Sequence, residues 1–206
     1  MTPVTRRARA RRGDGDLLRA DILAAAEQLL IKTGDQGAVS IRAIADAAGV
    51  TPPSIYLHFA DKTELLAAVS QARFHDLDRV MEEAAASSDS PFEALWARGR
   101  AYVRFGLENP EHYRILFMTK PGPERPAKDE GDLPGLTAFS HLVEEVARCM
   151  AAGALAAGDP FLVATGLWTG VHGITSLLIA RPDFPWPEVD RLLGHVIDVQ
   201  RRGLSA

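Results

Sequence analysis

Cysteine is nearly missing from these 206 residues: Cys149 stands alone, so neither an internal disulfide framework nor a cysteine-rich zinc site is available. A single thiol suits a reducing compartment, and the expected location is the cytoplasm. Lysine is scarce as well, 4 against 19 arginines, a usage that points to a GC-rich bacterial genome. Strand-like alternation never runs beyond a few residues, and no internal repeat of useful length is present, so sheet and solenoid architectures drop out. Catalytic signatures are missing too. There is no HExxH, no phosphate loop, no GxSxG and no Cys–His–Asp order. His75 and Asp78, three apart, could grip a metal but read as solvated surface, Glu144 and Glu145 read as a charged helix face, and Cys149 sits inert in an apolar run. The expectation is a protein that is not an enzyme and uses no cofactor and no metal.

Membrane and export signals fail on similar grounds. The N-terminal arginines are followed by Gly13, Asp14, Gly15 and Asp16 rather than by an apolar stretch, so the body of a secretory signal is lacking. Residues 160–180 carry no formal charge and are long enough to span a bilayer. Thr165, Thr169, His172, Thr175, Ser176 and three glycines interrupt them, which reads as a helix buried in protein or at a subunit interface. No membrane partner is expected.

What is present is an ordinary globular composition, 47% hydrophobic and 24% charged, enough for one large domain or two small ones. The net charge of −4 excludes a protein that coats nucleic acid with its whole surface. The charge is polarised, however: residues 1–62 sum to +2 and residues 63–206 to −6. Arg6, Arg7, Arg9, Arg11 and Arg12 form a basic arm over 1–13, expected to be disordered and able to order on DNA.

Helical periodicity covers nearly everything else. Helices are expected over 16–33, 41–48, 52–59, 62–86, 91–108 (with Arg98, Arg100 and Arg104 mostly away from its apolar side), a short one from Pro110, then 137–152, 160–180 and 187–204. Ser40, Thr51 and Asn109 are placed as N-caps, Gly34 and Gly49 as glycine stops, and Asp61 with Glu64 as a variant capping box. The stretch 119–134, with four prolines and seven charges, reads as a mobile surface loop.

The segment 40–66, SIRAIADAAGVTPPSIYLHFADKTELL, carries the chemistry. Two short helices meet at a tight Gly49-Val50 turn, the arrangement in which a second helix enters the DNA major groove. Ile44, Ala45 and Ala48 are expected to face Ile55 and Phe59, with the Thr51 hydroxyl capping the Ser54 N–H and Pro52-Pro53 stiffening the tip. Pro53, Ser54 and Leu57 project outward as the base-reading candidates. None can make the bidentate contacts of Arg, Lys, Asn or Gln, so specificity would rest on thymine methyls, one hydroxyl, DNA shape and arginines from elsewhere, namely Arg42 and the arm. Ser40, Thr51, Tyr56, His58 and Lys62 are the phosphate candidates.

These residues resemble the TetR family of transcriptional regulators: a long first helix, then SIRAIADAAGV, TPPSIYLHF and DKTELL fall in that family's places. The resemblance implies an all-α homodimer. An N-terminal three-helix helix-turn-helix domain (14–61) would bind DNA, and a larger helical domain (62–206) would bind effector and dimerise, making about nine helices with the helix from Lys62 as connector. It also implies phosphate contacts for Tyr56, His58 and Lys62. Residues 109–114 (NPEHYR) and the Trp168…His172-Gly173 spacing resemble the C-terminal domain named for its Trp-His-Gly signature.

In the C-terminal half, Trp96, Tyr102, Phe105, Tyr113, Phe117, Trp168 and His172 are candidates to line an effector pocket, with plain core as the competing role. His172, if buried, must find a hydrogen-bond partner. Gly166, Gly170 and Gly173, with Leu177 and the apolar face Val189, Leu192, Leu193, Val196 and Ile197, form a candidate dimer seam of four-helix type. The expected partners are a palindromic double-stranded operator, a second copy of the chain, and a largely apolar small-molecule effector that releases a repressor. An activator or architectural protein without effector, and an all-α enzyme or interaction module with a vestigial helix-turn-helix, fit the same residues.

Overall fold

A computed structural model describes residues 14–119 and 135–204. The arginine arm and nearly all of the proline-rich loop lie outside them. The described residues form nine helices and no β-strand: α1 Asp14–Thr33, α2 Ile41–Ala48, α3 Pro52–Ile55, α4 Lys62–Ala85, α5 Pro91–Glu108, α6 Pro110–Phe117, α7 Leu136–Ala151, α8 Pro160–Ala180 and α9 Val189–Leu204. Helix ends match the sequence expectation within two residues everywhere except α3. The chain divides into two compact units, with the boundary inside α4 after Val69.

The first unit packs α1, α2, α3 and the start of α4 around Ile22, Ala26, Leu30, Ile44, Ala45, Ile55, Phe59 and Leu65, all buried. Ser40 caps α2 by accepting the Ala43 N–H at 3.1 Å. Gly49 ends it with φ +67°, a left-handed conformation that glycine adopts without penalty. α3 is a single turn, not the eight-residue helix expected. After Ile55 the chain tightens, with the His58 N–H on the Ile55 carbonyl at 2.9 Å, a three-residue spacing. Tyr56, His58 and Phe59 are weak helix formers, and Asp61 must leave the helix to cap α4.

In the second unit α5 lies against α7 and α8, and α8 against α9. Helices α5 and α8 approach so closely at Gly106 that an added Cβ would sit 2.3 Å from Thr175 Cγ2. Two sequence expectations are corrected here. Arg98, expected away from the apolar side of α5, is only 2% exposed; it shares a face with Leu95 and Tyr102 and is tolerated inside because carboxylates from other helices meet it. Asn109 precedes α6 but does not cap it: its side-chain amide donates to the Phe105 carbonyl at 3.1 Å, closing α5 instead.

The seam residues also divide. Leu193 and Ile197 are buried within the chain's own core, with Leu192 and Val196 packed against it. A Cβ at Gly170 would strike the Gln200 amide at 2.4 Å, so that glycine serves intrachain packing of α9 on α8. On α9, Leu193 and Ile197 thus turn inward, while Leu192 and Val196 stay half-buried and Val199 exposed. Gly166 and Leu177 remain exposed, and Val189 and Gly173 half-buried.

Candidate nucleic-acid interface and ligand cavity

The first unit presents α3 at its surface because Ile55 and Phe59 are fastened underneath. Arg19 of α1 adds to that anchorage by stacking its guanidinium 5.0 Å over the Phe59 ring, a contact the sequence reading missed. What then faces outward is Pro53, Tyr56 and Leu57, the last 82% exposed, with Arg42 and Thr51 also exposed and Ser54 and His58 half-buried. Arg6, Arg7, Arg9, Arg11 and Arg12 lie outside the described residues.

Several candidate groups already have internal duties. The Thr51 hydroxyl pairs with the Ser54 hydroxyl at 2.9 Å rather than capping the Ser54 N–H, which bonds the Thr51 carbonyl. The reason is geometric: with prolines at the first two positions, the first available amide is close enough to close a tight turn on the backbone. One of the two hydroxyl protons is used in that pair, and the other is free to donate. Ser40 accepts from Ala43 and retains its own proton. Lys62 Nζ donates to the Gln36 carbonyl at 3.0 Å and the Val39 carbonyl at 2.9 Å, bracing the α1–α2 connection with two of its three protons. Asp61 Oδ1 accepts the Glu64 N–H at 2.8 Å, and the Glu64 carboxylate accepts the Ala60 N–H at 2.5 Å, so the capping box is reciprocal but reaches one residue further back than expected.

The second unit holds a cavity of about 270 Å³. Of the seven aromatic and imidazole candidates, Trp96, Tyr102, Phe117 and Trp168 are on its wall. Phe105, Tyr113 and His172 are not. Phe105 is core. Tyr113 and His172 form a polar cluster instead: the Tyr113 hydroxyl lies 2.7 Å and the Tyr102 hydroxyl 3.0 Å from His172 Nδ1, and Trp168 Nε1 donates to the Tyr102 oxygen at 3.3 Å. Burial holds the His172 imidazole below its ordinary pKa, so it is neutral and Nδ1 can accept from the hydroxyls. Burial likewise pushes the Tyr113 hydroxyl up to about 12, and raises that of Tyr102.

The wall also includes residues the sequence reading left out. Phe74, Leu77 and Met81 come from α4, Phe139 and Leu142 from α7, Gln200 from α9, and Arg98 from α5. The α4 trio at spacings of three and four was a visible stripe; nothing in the sequence set it beside α5. Arg98 bonds Glu82 through one terminal nitrogen, while the other lies 3.8 Å from Glu145 Oε2, the same oxygen that Arg148 holds at 2.5 Å. Asp78 takes part with Glu82 and His141 rather than with His75: their ligand-type atoms lie within 4.8 Å of one another, and His141 Nδ1 is 3.0 Å from Asp78 Oδ1. Cys149 is fully buried and its thiol is pushed up to about 11 by burial and by Glu145.

Residues 22–69 match the family model of bacterial regulatory proteins of the tetR family, and residues 95–199 match that of the tetracyclin repressor-like C-terminal domain. FasR, a helix-turn-helix transcriptional activator of Mycolicibacterium smegmatis, is 31% identical over 102 residues, covering 50% of this chain and 46% of FasR, so the likeness spans about half of that relative. Among solved structures, a protein of unknown function from Rhodococcus sp. RHA1 superposes with TM-score 0.76 at 29% identity, covering 92% of this chain and 96% of that one. A TetR-family transcription regulator from Marinobacter aquaeolei VT8 shares the fold (TM-score 0.73, 20% identity, 94% and 98% covered). So does NalD, the secondary repressor of the MexAB-OprM multidrug efflux pump of Pseudomonas aeruginosa (0.70, 22%, 94% and 98%). With a helix-turn-helix in its first unit and a matched C-terminal domain over half its length, this chain belongs to the TetR family of bacterial transcription regulators.

Proposed function

We propose that the chain represses transcription as a homodimer on a palindromic operator and is released by a small molecule bound in the second unit. The observation that carries this reading is α4. One uninterrupted helix begins at Lys62, braced to the DNA-binding unit, and continues to Phe74, Leu77 and Met81 on the cavity wall. A ligand that favours one setting of α4 over another changes operator affinity by its differential affinity for the two settings. Two recognition elements related by a two-fold axis would engage successive major grooves about 34–36 Å apart. Tyr56, His58, Ser40 and Thr51 supply phosphate contacts in this reading, Pro53, Ser54 and Leu57 touch base edges, and Arg42 adds to sequence preference. The Lys62 proton left over from its two carbonyls reaches for a phosphate.

Selection of operator from a random DNA pool, followed by binding to the winner at several salt concentrations, tests it. The expected result is an enriched palindrome whose specificity survives added salt. Lys62→Ala should weaken binding to all sequences and lower the salt slope by about 1, whereas Leu57→Ala should change which base pairs are preferred. No enrichment, or binding lost equally for all sequences as salt rises, would refute the reading. The likeness to FasR supports a second one, activation rather than repression, over the matched half. Transcription in vitro from the selected operator separates the two by sign.

A further inference from the structure

Outside the cavity, the fold gathers three metal-ligating side chains that the sequence keeps apart. Asp78 and Glu82 stand one turn apart on α4, so they share a face, and His141 comes from α7, 63 positions after Asp78. All three are half-buried, and one donor atom from each lies within 4.8 Å of the other two. His141 Nδ1 is 3.0 Å from Asp78 Oδ1 and 3.4 Å from Glu82 Oε1. With ligand bonds of about 2.0–2.2 Å, neighbouring donors round a four-coordinate ion stand about 3.3–3.6 Å apart, so these atoms are already close to the spacing of a coordination sphere. A hydrogen bond accounts for one of the two contacts only. Nδ1 carries at most one proton, which points at one carboxylate, whereas here two converge on the same nitrogen. Arg98 also binds Glu82, but a carboxylate has two oxygens and can keep a guanidinium on one while holding an ion with the other.

We propose that Asp78, Glu82 and His141 form a binding site for one divalent transition-metal ion of the zinc class, which joins α4 to α7. Each residue supplies one donor: Nδ1 of the imidazole, whose proton then sits on Nε2, and one oxygen of each carboxylate. Three protein donors leave the fourth position of a tetrahedral ion to water. The imidazole favours Zn²⁺ or Co²⁺ over Mg²⁺, which takes oxygen ligands. The ion would lie beside the cavity rather than in it. The wall takes Leu77 and Met81 from α4 and Ala138 and Leu142 from α7, and the three donors belong to the residues that adjoin these in the chain.

Calorimetry on the full chain, first stripped with a chelator, tests this with Zn²⁺ and Mg²⁺ as the probes. Zn²⁺ should bind at one ion per chain with a Kd of order 10 μM or tighter, and Mg²⁺ should not bind at about 1 mM. His141→Ala and Asp78→Asn should each weaken Zn²⁺ at least about ten-fold, whereas His75→Ala, on the same helix but outside the group, should leave it unchanged. Co²⁺ on the unaltered chain keeps the test independent of how any variant folds. It should develop the intense visible absorption of a four-coordinate ion, which added Zn²⁺ bleaches. A spectrum that stays that of aqueous Co²⁺ would overturn the proposal. So would an absence of Zn²⁺ binding, which would leave the three residues as an ion pair between helices. Zn²⁺ held equally well by His141→Ala would overturn it too, by placing the ion on other histidines.

Discussion

At the scale of single residues the decisive side chain is Arg98. It is a buried cation whose partners, Glu82 on α4 and Glu145 on α7, tie three helices together around the cavity. Arg98→Met keeps much of the volume but leaves Glu145, itself almost fully buried, with Arg148 alone. Removing one partner of such a pair costs of order 3 kcal/mol, and urea denaturation should show a loss of that size. The acid side of the stability curve follows from Glu82. Burial alone would raise its carboxyl, but the Arg98 hydrogen bond and the charges of Arg98, His141 and Arg148 together hold it below the ordinary value of 4.5. A lowered folded-state pKa means stabilisation that is complete above the unfolded value and is lost as pH falls through the folded one. Because Glu82 is 43% exposed, the amount is only about 0.5–1 kcal/mol. Glu82→Gln should therefore flatten the decline in stability between about pH 5 and pH 3, and an unchanged slope there would show that Glu82 gains nothing from Arg98.

Elements were far more legible in the sequence than the contacts between them. Caps and stops wrote the helix ends: Ser40 and Gly49 bracket α2, and Pro91 and Asn109 bracket α5 where expected. Periodicity located the buried side of α2 and α3 for the same reason, since local spacing decides which face is apolar. Most of the failures are non-local. Arg98 looked like a surface arginine because the carboxylates that admit it lie 16 and 47 positions away in the chain. Four of seven cavity candidates reached the wall, while Phe105, Tyr113 and His172 were claimed by packing and by the tyrosine–histidine cluster. α3 ended early for a local reason: weak helix formers follow Ile55, and the His58 N–H closes a tighter turn on the Ile55 carbonyl. Two glycine substitutions separate the kinds of constraint an element can carry. Gly49→Ala meets open space but must adopt φ +67°, so its cost should be the left-handed strain of about 1–2 kcal/mol. Gly106→Ala has an ordinary backbone but drives a methyl into Thr175 and Tyr113, so overpacking of about 1–3 kcal/mol is expected. Thermal unfolding of the two variants should show both losses, with an open-space substitution such as Gly194→Ala, on α9, losing nothing.

At the scale of the whole molecule the informative surface is the outward side of α8. The helix is charge-free, and only 33% of its most apolar stretch is buried in the chain. Leu162 and Leu177 are exposed at 68% and 50%, and they fall on one stripe with Gly166, Thr169 and Gly173 at spacings of four, three, four and four. An apolar stripe of that length is rarely left to water, and the small residues in its middle admit another helix closely. The proposed homodimer would cover it with the same stripe of a second copy, the self-complementary arrangement that a two-fold axis requires. Because α9 buries Leu193 and Ile197 inside its own chain, α8 would supply much of the apolar part of that seam. Leu177→Arg places a charge in the stripe without touching the core, so helicity should be unchanged while sedimentation shows a shift from dimer to monomer. Operator binding should then weaken steeply and its salt slope fall by roughly half, since one helix-turn-helix in place of two neutralises half as many phosphates. A Leu177→Arg protein that remains dimeric and keeps its full salt slope would place the seam on another surface.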